Sequence, residues 1–525
     1  MFVRRKPNKS GTWSVQVVHK TDGKYILLKS FGSSKDEDTL VKYERAAIAF
    51  IETYGGQKVL DFGEAERHKQ ERSDVERFFD SISDIRQDGA RLILEPIYNG
   101  IGFDKLGDDT LKLLAISRVC RPKSKVATVE YLKRHFDEDI SLNRIYRYMD
   151  TLYNTQREQI QEISVEHTRK VLGGQIGIVF YDVTTLYFES ARENVLRCPG
   201  FSKDGKTSES QIVLGLLVSR DGYPLSYNVF NGSQYEGRTM IPIIDDFVKR
   251  FSLTDFIVVA DAGLLSRKNI NLLKKAGYKF ILGGRIKKET KAIQDWVLSL
   301  PKQEGKLNEK IINGDERVVI SYSESRAAKD RHNRDKGIQR LRKAYSSGKI
   351  SKKNVNQRGY NKFLIIENDV LVSINEEKIA DDAKWDGLKS YVTNTELPPA
   401  EVISQYHGLW VVERAFRITK GTLEARPIFH FTERRIEARP IFHFTERRIE
   451  AHICICFVAY KLYKELERIL RILRIELSVD KVLDIAKTIS TVTIKTESGS
   501  EIKKTIITRD EQRLLLDLLP NWVSQ

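Results

Sequence analysis

The rhythm of apolar and polar positions changes several times along the chain, and each change marks a boundary. Near the N-terminus, TWSVQVVHK and KYILLKSFG are short strand candidates around the turn TDGK. DEDTLVKYERAAIAFIETYGG then has helical spacing and predicts a helix closed by Gly55-Gly56. These segments make residues 1–58 a small α+β unit with a possible DNA-binding role. Residues 59–75 are charged and weakly patterned, which predicts a linker. From 76 to 170 the period is helical: DDTLKLLAISRVC, SKVATVEYLKRHF and LNRIYRYMDTLYNTQREQIQEI place apolar residues three and four apart. Lys and Arg between these helices suit DNA-end binding, and a helical spacer fits as well.

At residue 175 the pattern turns to strands. IGIVFYDVTTLYFES comes first, and IVLGLLVS pairs with YPLSYNVF across the turn Arg220-Asp221-Gly222. MIPIIDDFVKRF is helical, FIVVADAG a strand, SRKNINLLKKAG a helix and YKFILGG a strand. Hairpin-spaced strands followed by alternating helix and strand predict a mixed sheet covered by helices, within a multidomain α/β chain. This core starts over residues 175–285. Residues 286–398 read as a β-rich insertion with a densely basic helical excursion around Arg326–Lys362. That excursion suits DNA backbone tracking or a solvated charge run. The core resumes over 399–477 with a long helix from Pro399, and the tail, 478–525, holds TVTIKT, KKTIIT and a last helix, DEQRLLLDLL.

Three acids interrupt this apolar pattern. Asp182 lies inside the best strand-forming segment, Asp261 ends an apolar strand in IVVADAG, and Glu413 sits in the helical stretch LWVVERAF. A carboxylate among apolar neighbours is costly unless partnered. A divalent cation shared by all three would partner them and reverse their mutual repulsion. Hard cations take oxygen ligands, and two Mg²⁺ ions about 3.5–4 Å apart suit phosphoryl transfer. On the helix, Tyr406, Glu413 and Lys420 are spaced by seven, and Arg417 follows Glu413 by four. One helical face would then carry them, suited to DNA phosphates. A solvated amphipathic face over Leu409, Val412 and Phe416 is the plainer reading.

Charge narrows the partner. The chain of 525 residues has a formal net charge of +16 and 41% hydrophobic residues, so it can build cores and favours a polyanion. The longest apolar runs, such as Ile212–Val218, are far short of the roughly 20 residues that span a bilayer. The N-terminus has no apolar stretch of a secretory signal. Cys120, Cys198, Cys454 and Cys456 form neither a disulfide framework nor a zinc pattern. Cys454 and Cys456 read as small buried hydrophobes. The chain reads as soluble, cytosolic and reduced. No GxxxxGK[ST] loop supports ATP-driven chemistry.

The triad and its surroundings resemble the DDE transposases of bacterial insertion sequences, and within them the IS-four superfamily. The signature of that superfamily around its Glu is Tyr-x2-Arg-x3-Glu-x6-Lys. Here Tyr406, Glu413 and Lys420 match at that spacing, and Leu409 stands in place of the Arg, with Arg414 and Arg417 near enough to compensate. FVRRKPNKSGTWSVQVV, PKSKVATVEYL, YDVTTLYFES, GFSKDGK, DGYPLSYNVFNG, VADAGLLS and YVTNTELPPAEVISQYHGLWVVERAF extend the resemblance over most of the chain. It implies a ribonuclease-H-like core interrupted by a β-rich insertion. It also implies that Asp182, Asp261 and Glu413 bind Mg²⁺, with Mn²⁺ able to substitute, and that Tyr406, Arg417 and Lys420 contact DNA phosphates. The implied substrates are double-stranded DNA: the element's terminal inverted repeats and the target. The implied chemistry is hydrolysis at the element end, then attack of the freed 3′-OH on target DNA. A homodimer or larger synaptic complex and a cytoplasmic, nucleoid-associated setting in a bacterium or archaeon follow from the same likeness. Two alternatives stay open: a catalytically impaired relative that only occupies the ends, and another ribonuclease-H-like nuclease or resolvase.

EARPIFHFTERRI occurs twice in succession, at Glu424–Ile436 and Glu437–Ile449. Thirteen identical residues in tandem are too short and too few to be a solenoid repeat. They read as a recent duplication of coding DNA, or an assembly error. The extra copy, with Pro440 as a helix breaker, predicts a protrusion or disordered loop just after the catalytic helix.

Overall fold

In a computed structural model of the chain, the described residues are 1–54, 62–188, 193–201, 208–251, 253, 255–350, 355–356, 359–367, 371–425 and 445–523. They divide into two compact units, Met1–Asp84 with Val492–Lys503, and Ile85–Thr491 with Lys504–Gln525.

In the first unit β1 (Phe2–Pro7), β2 (Trp13–Thr21) and β3 (Lys24–Ser34) form an antiparallel meander with β2 central. The helix α1 (Glu37–Thr53) starts at Asp36, whose side chain accepts from the Thr39 N–H, and closes over Val15 and Val17 with Leu40 and Ala47. The stretch expected as a linker instead belongs largely to α2 (Phe62–Ser81). This helix is polar almost throughout and carries close side-chain pairs such as Arg77 with Asp74. Its low apolar content hides it from a reading by hydrophobic period. A short strand, β4 (Ile82–Arg86), follows.

The second unit opens with the expected helices: α3 (Gly89–Ile101), α4 (Asp109–Cys120), α5 (Lys125–Phe136), α6 (Leu142–Thr151) and α7 (Arg157–Val171). Asp108, Ser124 and Ser141 cap α4, α5 and α6 with their side chains. Next come β5 (Ile178–Tyr187), β6 (Gln211–Ser219), β7 (Pro224–Asn231), α8 (Met240–Phe251), β8 (Ile257–Ala260), α9 (Arg267–Lys275) and β9 (Lys279–Gly283). The region read as an insertion holds α10 (Lys291–Ser299), β10 (Leu307–Asn313), β11 (Glu316–Tyr322), α11 (Glu324–Ser346), β12 (Leu364–Glu367), β13 (Leu371–Ile374), α12 (Glu376–Ala383) and β14 (Leu388–Thr393). The chain ends with α13 (Pro399–His407), α14 (Trp410–Arg417), α15 (Glu446–Ile472), α16 (Val479–Ala486), β15 (Ser490–Lys495), β16 (Glu501–Ile506) and α17 (Asp510–Val523).

Eight strands make one mixed sheet in the order β10-β11-β14-β9-β8-β5-β6-β7. β5, β6 and β7 are antiparallel neighbours, while β5, β8 and β9 run parallel. Three strands of the expected insertion therefore extend the main sheet, and among the described residues β12 and β13 pair apart from it. Local pattern shows that a segment is a strand but not which edge it joins.

Alternation along β5 sends Val179, Tyr181 and Val183 to a core beneath α8 and α9, and Phe180 and Leu186 to the opposite core beneath α13, α14 and α15. α15 is buried along most of its length, including Cys454 and Cys456, which are free thiols as expected. Among the described residues no helix is long and apolar enough to cross a membrane. Residues 426–444, most of the tandem copies and the expected protrusion with Pro440, lie outside the described residues. The last residues of the second copy begin α15, where Arg448 pairs with Asp150 and Ile449 is fully buried.

Candidate active site

Register brings two of the three acids together. Parallel pairing of β5 with β8 sets Tyr181 beside Ala260, so one step further Asp182 stands beside Asp261 at the carboxyl end of β8. Neighbouring strands lie about 4.8 Å apart. Phe180 and Val259, two residues earlier on each strand, belong to the core beneath α13 and α14, so both aspartates fall on that face. Asp182 is half-buried, and its Oδ1 accepts from the Val183 N–H at 2.8 Å. Asp261 is exposed and begins the 3-10 turn Ala262–Leu264.

The surroundings hold Asp261 in place. Tyr406 on α13 donates its hydroxyl to Asp261 Oδ1 at 2.9 Å. Burial pushes the Tyr406 phenol up, and the Asp261 charge adds to the shift. A Cβ on Gly283 would lie 2.4 Å from the Tyr406 hydroxyl, so a glycine on β9 makes room for this contact. Arg285 donates to the carbonyls of Ala262 at 2.7 Å and Gly263 at 2.9 Å, which fixes the turn after Asp261.

Glu413 comes from a different element. It is exposed on α14, which packs on β5 and β6 through Val412 and Phe416. Lys389 of β14 interacts electrostatically with both Asp261 and Glu413, and its Nζ lies 4.5 Å from the Tyr406 ring centroid. Burial lowers the Lys389 pKa and Arg326 lowers it further, while the two carboxylates act in the opposite direction. Lys389 shares a basic cavity of about 540 Å³ with Asp261, Arg285, Lys287, Lys288 and Arg326. Among the described residues no three His, Cys, Asp or Glu side chains are grouped closely enough to hold a metal ion. The oxygen donors of Asp182 and Asp261 fit a hard divalent cation as a pair.

The long helix expected from Pro399 is interrupted. α13 ends at His407, α14 begins at Trp410, and a π-helical turn covers Ile418–Thr422. The break after His407 and the π turn both change the rotation per residue, so spacing by seven no longer keeps one face. Tyr406 accordingly is buried against Asp261, Glu413 and Arg417 are exposed, and Lys420 is half-buried in the π turn. Leu409, in the position of the family arginine, is buried in the core.

One acid escaped the sequence reading. Glu236 lies in a 3-10 turn after β7, tied by hydrogen bonds to β5 and, through Asn269 of α9, to the turn that follows Asp261. Tyr181 donates to Thr239 Oγ1 at 2.8 Å, and Thr239 donates to the Glu236 carbonyl at 2.7 Å. Asn269 donates to the carbonyls of Gly237 at 2.6 Å and Leu264 at 2.8 Å. Glu236 Oε2 and Asp261 Oδ2 lie 3.6 Å and 3.9 Å from the point a Cβ on Gly263 would occupy. An acid between a strand and a helix resembles any turn former, so nothing local set it apart. Arg285 and Lys389 also went unnoticed, because their roles depend on the sheet order.

Residues 173–445, just over half of the chain, match the family described as Transposase DDE domain. No curated protein matches the sequence. Among solved structures, the piggyBac transposase synaptic complex with hairpin DNA is similar at 8% identity, over 72% of this chain and 70% of that chain, with a TM-score of 0.38. The Mos1 transposase paired-end complex with left transposon end is similar at 10% identity, over 33% of this chain and 58% of that chain, with a TM-score of 0.15. With a family match of this extent covering Asp182, Asp261 and Glu413, the chain belongs to the DDE transposase domain family.

Proposed function

We propose that this protein is the transposase of a bacterial or archaeal insertion sequence of the IS-four type, which cuts the ends of its own element and joins the freed 3′-OH to target DNA. The observation that carries this reading is the register of β5 and β8, which puts Asp182 and Asp261 side by side on one face of the sheet. The strand order β7-β6-β5-β8-β9, with a meander followed by two parallel strands, supports a ribonuclease-H-like core.

Asp182 and Asp261 would hold a divalent cation, with Mg²⁺ the proposed ion, and Glu413 would complete the set. Bound there, such an ion would stabilise charge on the scissile phosphate and favour deprotonation of the attacking oxygen. The chain's own residues supply orientation. Tyr406 fixes one Asp261 oxygen, and Arg285 fixes the turn behind it. Arg417 is exposed and Lys420 half-buried just beyond Glu413, where both can meet DNA phosphates. Tyr406 already gives its hydroxyl to Asp261, so we assign it to positioning ahead of phosphate contact. A homodimer or larger assembly on paired ends is part of the proposal.

A second reading is an impaired relative that binds ends without cutting, since Leu409 stands where the family signature has an arginine and thirteen residues are duplicated shortly after Glu413. One experiment separates the two. A labelled fragment carrying the element's end is incubated with the protein, a supercoiled plasmid, and either Mg²⁺ or EDTA. Mg²⁺-dependent cleavage and label in the plasmid support the transposase. Retarded fragment with neither product supports the impaired relative.

A further inference from the structure

The exposed stripe of α14 carries more than Glu413. Trp410, Glu413, Arg414 and Arg417 stand at i, i+3, i+4 and i+7, so they share one face, and Trp410 is 57% exposed. A cavity of about 280 Å³ opens beside this stripe, lined by Trp410, Arg414, Arg220, Lys464, Arg468 and Arg471. Five of these are cations, and the acids at the wall are Asp221 and Glu467. Glu467 pairs with both Arg414 and Lys464, and Glu465 takes Arg468. Positive charge remains in excess.

The walls are rigid. Arg220 and Asp221 belong to the β6–β7 turn, whose Gly222 carbonyl accepts from the buried Tyr460 hydroxyl at 2.9 Å. Gly222 has a φ of 85°, and a Cβ there would lie 2.9 Å from Val411 Cγ1. The turn therefore sits tightly against α14, and α15 closes the other side. Guanidinium groups on fixed elements recognise phosphate well, and an exposed indole adds a flat contact. Excess positive charge on these elements favours the phosphate backbone, which is the same in DNA of any sequence.

We propose that this cleft binds the backbone of the host DNA flanking the element's end, beyond the carboxylate site along the exposed face of α14. The proposal rests on the transposase reading above and adds a surface and a substrate segment to it. Its test uses the double variant Arg220→Glu with Arg471→Glu, both at exposed positions outside the carboxylate site. Fluorescence anisotropy measures the affinity of the parent and the variant for two duplexes. One carries the element's end with about 20 bp of flank, roughly two helical turns, and the other stops at the cut site. The variant should lose at least ~10-fold on the flanked duplex, and its salt slope there should fall by about 2, one for each removed phosphate contact. The truncated duplex should bind both proteins equally. Equal loss on both duplexes, or loss on neither, overturns the proposal. A parent that binds neither duplex refutes the DNA reading itself. If the charge reversal lowers the melting temperature, Arg220→Gln with Arg471→Gln replaces it, and half the salt-slope change or more is still expected.

Discussion

Gly408 couples the packing of the fold to its chemistry, and Gly408→Ala tests that coupling. Gly408 has φ −59° and ψ −13°, ordinary helical values, so alanine meets no backbone strain. Helix propensity alone would favour alanine by about 1 kcal/mol. The added Cβ, however, would lie 2.4 Å from Phe180 Cζ, and 2.9 Å from both Phe180 Cε1 and the Gln405 carbonyl. Phe180 is 1% exposed and sits on β5, two residues before Asp182 and on the same face. The ring is packed inside the core, so α13 and α14 are expected to lift off β5 by roughly 1 Å to restore ordinary contact. Overpacking of this kind costs about 1–3 kcal/mol and exceeds the propensity gain, leaving a net loss of ~1–2 kcal/mol. The same displacement moves Tyr406 and Glu413 away from the aspartates, and an error of ~1 Å can cost ~100-fold in rate. Urea unfolding and single-turnover end cleavage are measured for Gly408→Ala, Phe180→Leu and the double variant. Removing the ring should relieve the clash, so the double variant should be less damaged than the sum of the singles by ~1 kcal/mol or more. Strict additivity, or Gly408→Ala with parental stability and rate, would refute the reasoning.

Three further outcomes are expected. Tyr406→Phe removes one hydrogen bond to a carboxylate, worth ~1.5–3 kcal/mol. End cleavage should slow by ~10-fold or more with DNA affinity unchanged, and a parental rate would count against the positioning role. Glu465 is buried, which raises its pKa, but the His167 ring at 3.6 Å and hydrogen bonds from Arg468 and Tyr223 win and hold it well below the usual carboxylate range. Its contribution is therefore fully present above the unfolded value of about 4.3 and is lost as pH falls through the folded pKa. Glu465→Gln should destabilise the protein by ~3–5 kcal/mol at pH 7, with the gap to the parent narrowing only below pH ~4.3. A gap that is constant with pH contradicts this. Deleting Glu437–Ile449 leaves one copy of EARPIFHFTERRI leading into α15, with Ile449 and Arg448 replaced by identical residues. Either the melting temperature or the cleavage rate should rise, and no change in both would sink the idea that the duplication impairs the protein.

The elements legible in the sequence were those whose signal is local. Alternation and turns marked β5 through β9, and helical period marked α3 to α7. Asp182 and Asp261 stood out because each breaks an apolar strand, and the structure brings them together through strand register. α2 was missed because it lacks an apolar stripe. The assignment of β10, β11 and β14 to the main sheet depends on pairing far apart in sequence. The break between α13 and α14 falls at Gly408, which packs close to Phe180, 228 positions away in the chain, and no spacing rule contains that contact. Glu236, Arg285 and Lys389 reach the site by the same long-range route.

The most direct test of the central claim compares end cleavage by the parent, Asp182→Ala and Asp261→Ala with Mg²⁺, with DNA binding measured in parallel. The account predicts cleavage by the parent, none by either variant, and end binding by all three. Cleavage that survives in either variant would contradict the assignment of the paired aspartates as the catalytic centre.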